Sequence, residues 1–359
     1  MANKVEKVLM KGNEAVAEAA IRAGCRHFFG YPITPQTEVA AYMSRRMPKE
    51  GGLYLQAESE IGAINMVMGA SAAGARAMTS SSSPGIALKS EGLSYMAGCD
   101  LPGVLVNIQR GGPGLGGIQP SQADYFQTTK GVGHGDFHII ALAPNTIQEM
   151  VDLTVLAFDL ADRYRVVSMV LADGILGQMM EPVVLPEYAP DAQDVSKGWA
   201  VGGTGGKRKR NIINSLYLDP EELETMNFQR YERYAQIGRD EQRWESYLLD
   251  DADIVVAAYG ASARVAKNAI LEARAQGIKA GLLRPITLWP FPKTAFAAAA
   301  DKARAFVTAE MSMGQMIEDV ELAIRCRRPV YLSNRVGGMV PTPTDILSVI
   351  QKANAGHDQ

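Results

Sequence analysis

The sequence has 359 residues, 47% apolar and 21% charged, with a formal net charge of −3. A chain of this size can bury two full cores, and so small a net charge excludes a general polyanion-binding role. The three cysteines, Cys25, Cys99 and Cys326, are far apart and include no CxxC pair, which excludes a disulfide framework and a four-cysteine iron–sulfur or zinc site built from this chain alone.

The opening residues lack the apolar core of a signal peptide, and no apolar run nears the ~20 residues needed to span a bilayer. A reducing, cytoplasmic setting without membrane or nucleic-acid partners is therefore expected. Asn13 is placed to cap a small-residue helix over 14–23 that Gly24 would end. Strand-like runs follow at 27–31, 53–56, 76–79, 104–109, 137–142 and 166–171. Between them lie alanine-rich stretches of helical spacing, among them 61–75 and 148–162. This alternation predicts an α/β fold with a parallel sheet covered by helices on both faces. Ligands of such sheets bind beyond the carboxyl ends of the strands, so the loops there are the places to search.

The loop after the first such strand is Tyr31-Pro32-Ile33-Thr34-Pro35-Gln36-Thr37. Its two prolines stiffen it, and Thr34 reads either as the cap of the next helix, with Pro35 at its first position, or as a ligand-binding hydroxyl. After the second strand comes Ala57-Glu58-Ser59-Glu60, ahead of an almost uncharged helix. Glu60 reads either as a carboxylate favoured by the helix dipole or as a proton partner in a dry pocket. In Thr79-Ser80-Ser81-Ser82-Ser83-Pro84-Gly85, Ser83 and Pro84 have the look of a cap and a first helical residue, and the hydroxyls could also line a ligand channel.

The most apolar strand ends in Arg110, which requires an anion: a substrate carboxylate or a structural partner. Gly112, Gly114 and Gly117 match a GxGxxG spacing just after it. Pro113 stiffens that turn, and neither a prompt helix nor a strand ending in an acid follows, so a dinucleotide site is not expected. His134 and His138 lack a third partner for a metal.

Residues 186–250 read as a linker or excursion, with Pro182, Pro186 and Pro190 around its start, the exposed basic run 207–210 and a charged helical stretch over 221–247. The P-loop pattern is not met at 202–208, where Val201 and Arg208 occupy the wrong positions. Alternation resumes at 253, so three segments are expected: a first domain over 1–185, the excursion over 186–250, and a smaller α/β domain over 251–359.

GNEAVAEAAIRAGC, GYPITPQTE, QAESEIGAIN, TSSSSPG, QRGGPGLG, QPSQADYFQ and LLRPITLWPFP occur in this order, with Met313-Gly314-Gln315-Met316 in the second domain. From about Lys11 to Ile350 the chain resembles the alpha-type subunits of 2-oxoacid:ferredoxin oxidoreductases. The 36–37, 80–83 and 119–122 details resemble the branched-chain 2-oxoacid (ketoisovalerate) branch most, with the 2-oxoglutarate branch next.

The resemblance implies a thiamine-diphosphate-binding-fold pyrimidine domain followed by a transketolase C-terminal-like domain. It implies that Glu60 activates the cofactor's aminopyrimidine, that Tyr31, Pro32 and Ile33 adjoin the cofactor, and that Thr34 and Arg110 hold the substrate, Arg110 by its carboxylate. The implied reaction is oxidative decarboxylation of a 2-oxoacid, best 3-methyl-2-oxobutanoate, with coenzyme A as co-substrate and ferredoxin as acceptor. An aryl or 2-oxoglutarate substrate, or a non-catalytic role in such a complex, are the alternatives. Thiamine diphosphate also needs a GDG…N module; Asp136 and Asp173 adjoin glycines without completing it. No metal ligands are therefore assigned to this chain. Mg2+ and iron–sulfur clusters are expected in a beta-type subunit, a gamma-type subunit and a ferredoxin-like delta subunit, assembled as a dimer of heteromers.

Overall fold

The computed structural model describes residues 6–189 and 197–356; Pro190 and the outermost residues of the expected segments lie outside them. The first strand, β1 (Val8–Lys11), leads straight into α1 (Gly12–Arg22). The helix begins earlier than the sequence suggests, because Lys11 precedes it and Asn13 lies inside its first turn. Asn13 is buried and donates to the Pro35 carbonyl and to Glu38, both at 2.8 Å. A Cβ at Gly12 would stand 2.0 Å from the Leu176 carbonyl, so only glycine lets the chain pass there. Gly24, at φ +84, ends the turn as its position predicts.

Next come β2 (His27–Gly30), α2 (Thr37–Arg46), β3 (Leu53–Gln56), α3 (Glu60–Ala72), β4 (Ala77–Ser81), α4 (Ser83–Gly98) and β5 (Gly103–Gln109). The short helix α5 (Tyr125–Thr129) precedes β6 (Ile140–Leu142), α6 (Ile147–Tyr164), β7 (Val167–Asp173), α7 (Gly174–Gln178) and β8 (Met180–Val183). The expected strands are all present. Besides Asn13, two expected caps are not: α2 starts at Thr37 behind Gln36, so Thr34 and Pro35 lie outside it, and α4 follows Ser82 rather than Ser83.

The excursion folds into α8 (Pro220–Asp240) and β9 (Trp244–Tyr247). The last part is β10 (Ile254–Ala258), α9 (Gly260–Ala275), β11 (Ala280–Pro285), β12 (Thr287–Trp289), α10 (Lys293–Lys302), β13 (Ala305–Glu310), α11 (Met316–Ile324), β14 (Val330–Asn334) and α12 (Pro343–Ala355).

The larger sheet has the order β12-β6-β7-β5-β4-β2-β3 and the smaller β14-β13-β10-β11-β9. Both are parallel except at one edge, β12 on β6 and β9 on β11; β1 and β8 form a separate antiparallel pair. The two domains exchange edges: β9, within the excursion, completes the second sheet, and β12, from the second domain, completes the first. One apolar cluster runs through both domains and holds Ile64 and Leu105 together with Phe296 and Met316. Buried Arg284 on β11 ties them further, meeting Glu149 of α6 at 2.6 and 3.0 Å and Glu245 of β9 at 2.6 Å.

Candidate active site

The parallel strands β2, β3, β4 and β5 end on one side of the larger sheet, and the residues singled out in sequence follow those ends. After β2, the Tyr31–Thr37 loop is held through its main chain. Buried Gln36 donates to the Tyr31 carbonyl at 3.2 Å and accepts from Ser80 Oγ at 2.6 Å. Its own N–H donates to the Ile33 carbonyl at 3.2 Å. The side chains of Pro32 and Thr34 are left exposed.

Glu60 is the first residue of α3, behind Ser59, whose hydroxyl accepts from the Gly62 N–H at 3.1 Å. The side chain is only 6% exposed. Room for it comes from α4: a Cβ at Gly85 would stand 2.7 Å from Glu60 Oε1 and 2.1 Å from Ser81 Oγ. Among the described residues, the hydroxyl of Ser81 beside this space and that of Ser82 next to it in the chain, both buried, have no hydrogen-bond partner.

Arg110 follows β5 and is 7% exposed. Its guanidinium donates to the Thr34 carbonyl at 3.0 Å and the Leu115 carbonyl at 3.2 Å, its Nε is unpartnered, and among the described residues it forms no ion pair. A buried cation served only by carbonyls and lining a cavity is built to receive an anion. Its main chain is fixed by a relay: the Arg110 N–H donates to Ser83 Oγ at 3.0 Å, Ser83 Oγ donates to Asp124 Oδ2 at 2.6 Å, and Asn107 Nδ2 donates to the same oxygen at 2.9 Å. Burial pushes the Asp124 carboxyl above the usual range, against the pull of those two donors.

The cavity beside Arg110 has a volume of about 420 Å³ and lies between the domains. Arg110, Pro113 and Asp124 line it from the first, Met311, Met313 and Val336 from the second. Arg110 is its one cationic wall residue. Buried Glu310 shapes the second-domain wall by accepting from Ser312 Oγ at 2.6 Å and from the Gln315, Met316 and Ile317 N–H groups at 2.9, 3.0 and 3.2 Å.

The structure thus joins Thr34 to Arg110 directly, and sets Glu60 and Arg110 against the same first turn of α4, through Gly85 and Ser83. Glu60 and Thr34 are not among the cavity's wall residues. The glycine-rich 111–117 loop opens no helix. His138 stacks on Trp289 at 4.6 Å. Asp124, Asn107 and Lys89 belong to the site but were missed in sequence; a signal existed only for Lys89, the one cation between Arg76 and Arg110.

Two family models fit the chain: the thiamine-diphosphate-binding region of pyruvate flavodoxin/ferredoxin oxidoreductases over residues 18–246, and core domain II of pyruvate:ferredoxin oxidoreductase over 252–346. The chain belongs to this family, as an alpha-type subunit of the 2-oxoacid:ferredoxin oxidoreductases. Among individual relatives, it is 51% identical to the ketoisovalerate oxidoreductase subunit VorB of Methanothermobacter marburgensis, over 96% of this chain and 97% of that one. It is 37% identical to the 2-oxoglutarate synthase subunit KorA of Methanothermobacter thermautotrophicus, over 97% and 99% of the two chains. The 2-oxoglutarate:ferredoxin oxidoreductase of Magnetococcus marinus, solved with 2-oxoglutarate, coenzyme A and succinyl-CoA bound, superposes with a TM-score of 0.86 at 28% identity. That match covers 97% of this chain and 65% of the longer one.

The residues after β3 and β4 fit the aminopyrimidine half of thiamine diphosphate: a buried acceptor at Glu60, space maintained by Gly85, and the unpartnered hydroxyls of Ser81 and Ser82. Among the described residues, no group of three or more His, Cys, Asp or Glu could hold a metal ion.

Proposed function

We propose that this chain is the aminopyrimidine-activating and substrate-holding subunit of a 3-methyl-2-oxobutanoate (ketoisovalerate):ferredoxin oxidoreductase that forms isobutyryl-CoA, carbon dioxide and reduced ferredoxin. The observation that carries the reading is the buried guanidinium of Arg110, the one cation in the cavity wall, facing the apolar side chains of Pro113, Met311, Met313 and Val336 among otherwise mixed walls. One cation suits the single carboxylate of a monoacid, and Met311, Met313, Pro113 and Val336 suit a branched alkyl tail. A 2-oxoglutarate tail would bury a second carboxylate against these walls with no countercharge, at a cost of several kcal/mol. The likeness to the VorB subunit supports the same choice.

When bound, thiamine diphosphate supplies the nucleophilic carbon and the electron sink. Glu60 holds a proton between its carboxylate and the aminopyrimidine ring nitrogen, in a pocket dry enough for that proton to be shared. Arg110 grips the substrate carboxylate and orients the 2-oxo carbon, and Ser83 and Asp124 keep the Arg110 backbone in place. Thr34 offers its exposed hydroxyl to the substrate, and Tyr31, Pro32 and Ile33 form the stiff rim beside the cofactor. The diphosphate, its Mg2+ and the iron–sulfur clusters fall to beta-type, gamma-type and ferredoxin-like delta subunits, and coenzyme A enters as co-substrate.

The test is the purified complex assayed with a panel of 2-oxoacids. 3-Methyl-2-oxobutanoate should give the highest kcat/KM; preference for 2-oxoglutarate would overturn the substrate assignment. In the same complex, Glu60→Gln should abolish decarboxylation while the subunits still assemble. Turnover near the native rate would remove Glu60 from the mechanism.

A further inference from the structure

Lys89 is fully buried on α4, yet it forms no ion pair among the described residues. Among the described residues its Nζ has one hydrogen-bond partner, the main-chain carbonyl of Glu60 at 3.4 Å. An ammonium group is expensive to bury and is normally matched by a carboxylate in direct contact. Here the matching acid is Glu60 itself, whose carbonyl Lys89 touches. The geometry of α4 repeats the point. Gly85 and Lys89 are four residues apart and so share one helix face; Gly85 opens the space for the Glu60 carboxylate and Lys89 reaches the main chain of the same residue.

We infer that Lys89 is a positioning residue for Glu60, a buried positive charge set beside the acid that shares a proton with the aminopyrimidine ring. This rests on Glu60 being the group that meets the cofactor. Burial pulls the Lys89 amine down and the nearby Glu60 charge offsets part of that, which leaves it at about 8 and mostly protonated at neutral pH. The other groups around Glu60 do not compensate. β4 presents the neutral Ser81, and the next charged residue on α4, Glu91, lies exposed and accepts from Tyr95. Glu58 accepts from Ser59 Oγ at the solvent edge. The Arg110 guanidinium meets the Thr34 and Leu115 carbonyls rather than Glu60. His27 lies at the amino end of its strand, away from the strand ends that carry the site.

The experiment compares the native complex with Lys89→Met, which matches the length of the side chain without its charge, and with Lys89→Gln should the methionine form fail to assemble. Two quantities are followed against pH on the assembled enzyme with thiamine diphosphate: the circular-dichroism signature of the bound aminopyrimidine tautomers, and the exchange rate of the cofactor's C2 proton. Loss of a nearby opposite charge should move the acid limb of both profiles to higher pH by about one unit, with exchange on that limb slowed about tenfold. Lys89→Arg, if accommodated, should restore the native limb. Profiles that superimpose on the native ones, or a loss of exchange equal at every pH, would overturn the inference. Glu60→Gln separates the two readings. If it leaves exchange intact, the role of Glu60 fails. If it abolishes exchange while Lys89→Met leaves the limb unmoved, only the role of Lys89 fails.

Discussion

Arg110 gains little from its present partners, since two carbonyl oxygens do not neutralise a buried guanidinium. Its hold on a carboxylate should therefore be strong, and it should depend on the fork geometry that lysine lacks. Replacing Arg110 by Lys is expected to raise the 2-oxoacid KM by roughly 10- to 100-fold, the equivalent of a charge-assisted hydrogen bond of about 1.5–3 kcal/mol. Thiamine diphosphate affinity should stay near native, because the change falls on the substrate side of α4. Steady-state kinetics and calorimetric cofactor binding on the same preparation check both halves. A variant that loses cofactor affinity while keeping its KM would place Arg110 on the wrong ligand.

Thr34, Glu60 and Arg110 each follow the carboxyl end of a strand, and the strength of the arrangement depends on how the turns beyond the strands are tied. The tightest is β13 into α11, where the Glu310 carboxylate satisfies three N–H groups at the mouth of the helix and the Ser312 hydroxyl. Glu310→Gln keeps the volume but turns an amide toward some of these donors. It should destabilise the chain by roughly 1–3 kcal/mol and raise the KM by loosening the turn that carries Met313. Denaturant midpoints and kinetics check the pair, and an unchanged midpoint would contradict this account of the turn. Junctions of this kind explain what was legible in the sequence. Leu53–Gln56 and Val104–Gln109 read as strands with sharp ends, which marked Glu60 and Arg110 as candidates; residue type and spacing left each open between a structural and a functional role, and the family resemblance decided for function. Thr287–Trp289 could not be read as a strand, since three residues behind Pro285 carry no period and the strand exists only because β6 accepts it. The start of α2 was also hidden, because Gln36 precedes it without a side-chain cap bond. Asp124 was invisible for a different reason, since its role lies in a contact with a residue 41 positions away, and Lys89 showed only as a lone cation whose contact lies 29 positions away.

The two domains act as one body because their shared boundary is buried and polar as well as apolar. Buried Gln122, from the loop after β5, donates to the Tyr259 carbonyl at 2.9 Å and accepts from Ser262 Oγ at 2.7 Å and the Met311 N–H at 2.9 Å. Next to it, Asp173 at the end of β7 accepts from the Ile175 and Leu176 N–H groups at 2.8 and 3.2 Å and from the Ala261 N–H of the second domain at 3.4 Å. Burial pushes the Asp173 carboxyl up to about 6, although those three N–H groups pull the other way. A native value above the unfolded one means that the folded chain binds the extra proton between the two. This contribution to stability is complete below about pH 4 and is lost as the pH rises through about 6. A shift of about two units corresponds to about 3 kcal/mol. Asp173→Asn cannot titrate, and any fixed cost of its amide facing the Ala261 N–H is the same at every pH. The unfolding free energy of the native chain minus that of Asp173→Asn should therefore fall by about 3 kcal/mol between about pH 4 and pH 8. Urea denaturation of both full-length proteins across that range measures the difference directly, and a flat line would mean that Asp173 keeps its ordinary acidity at the domain junction.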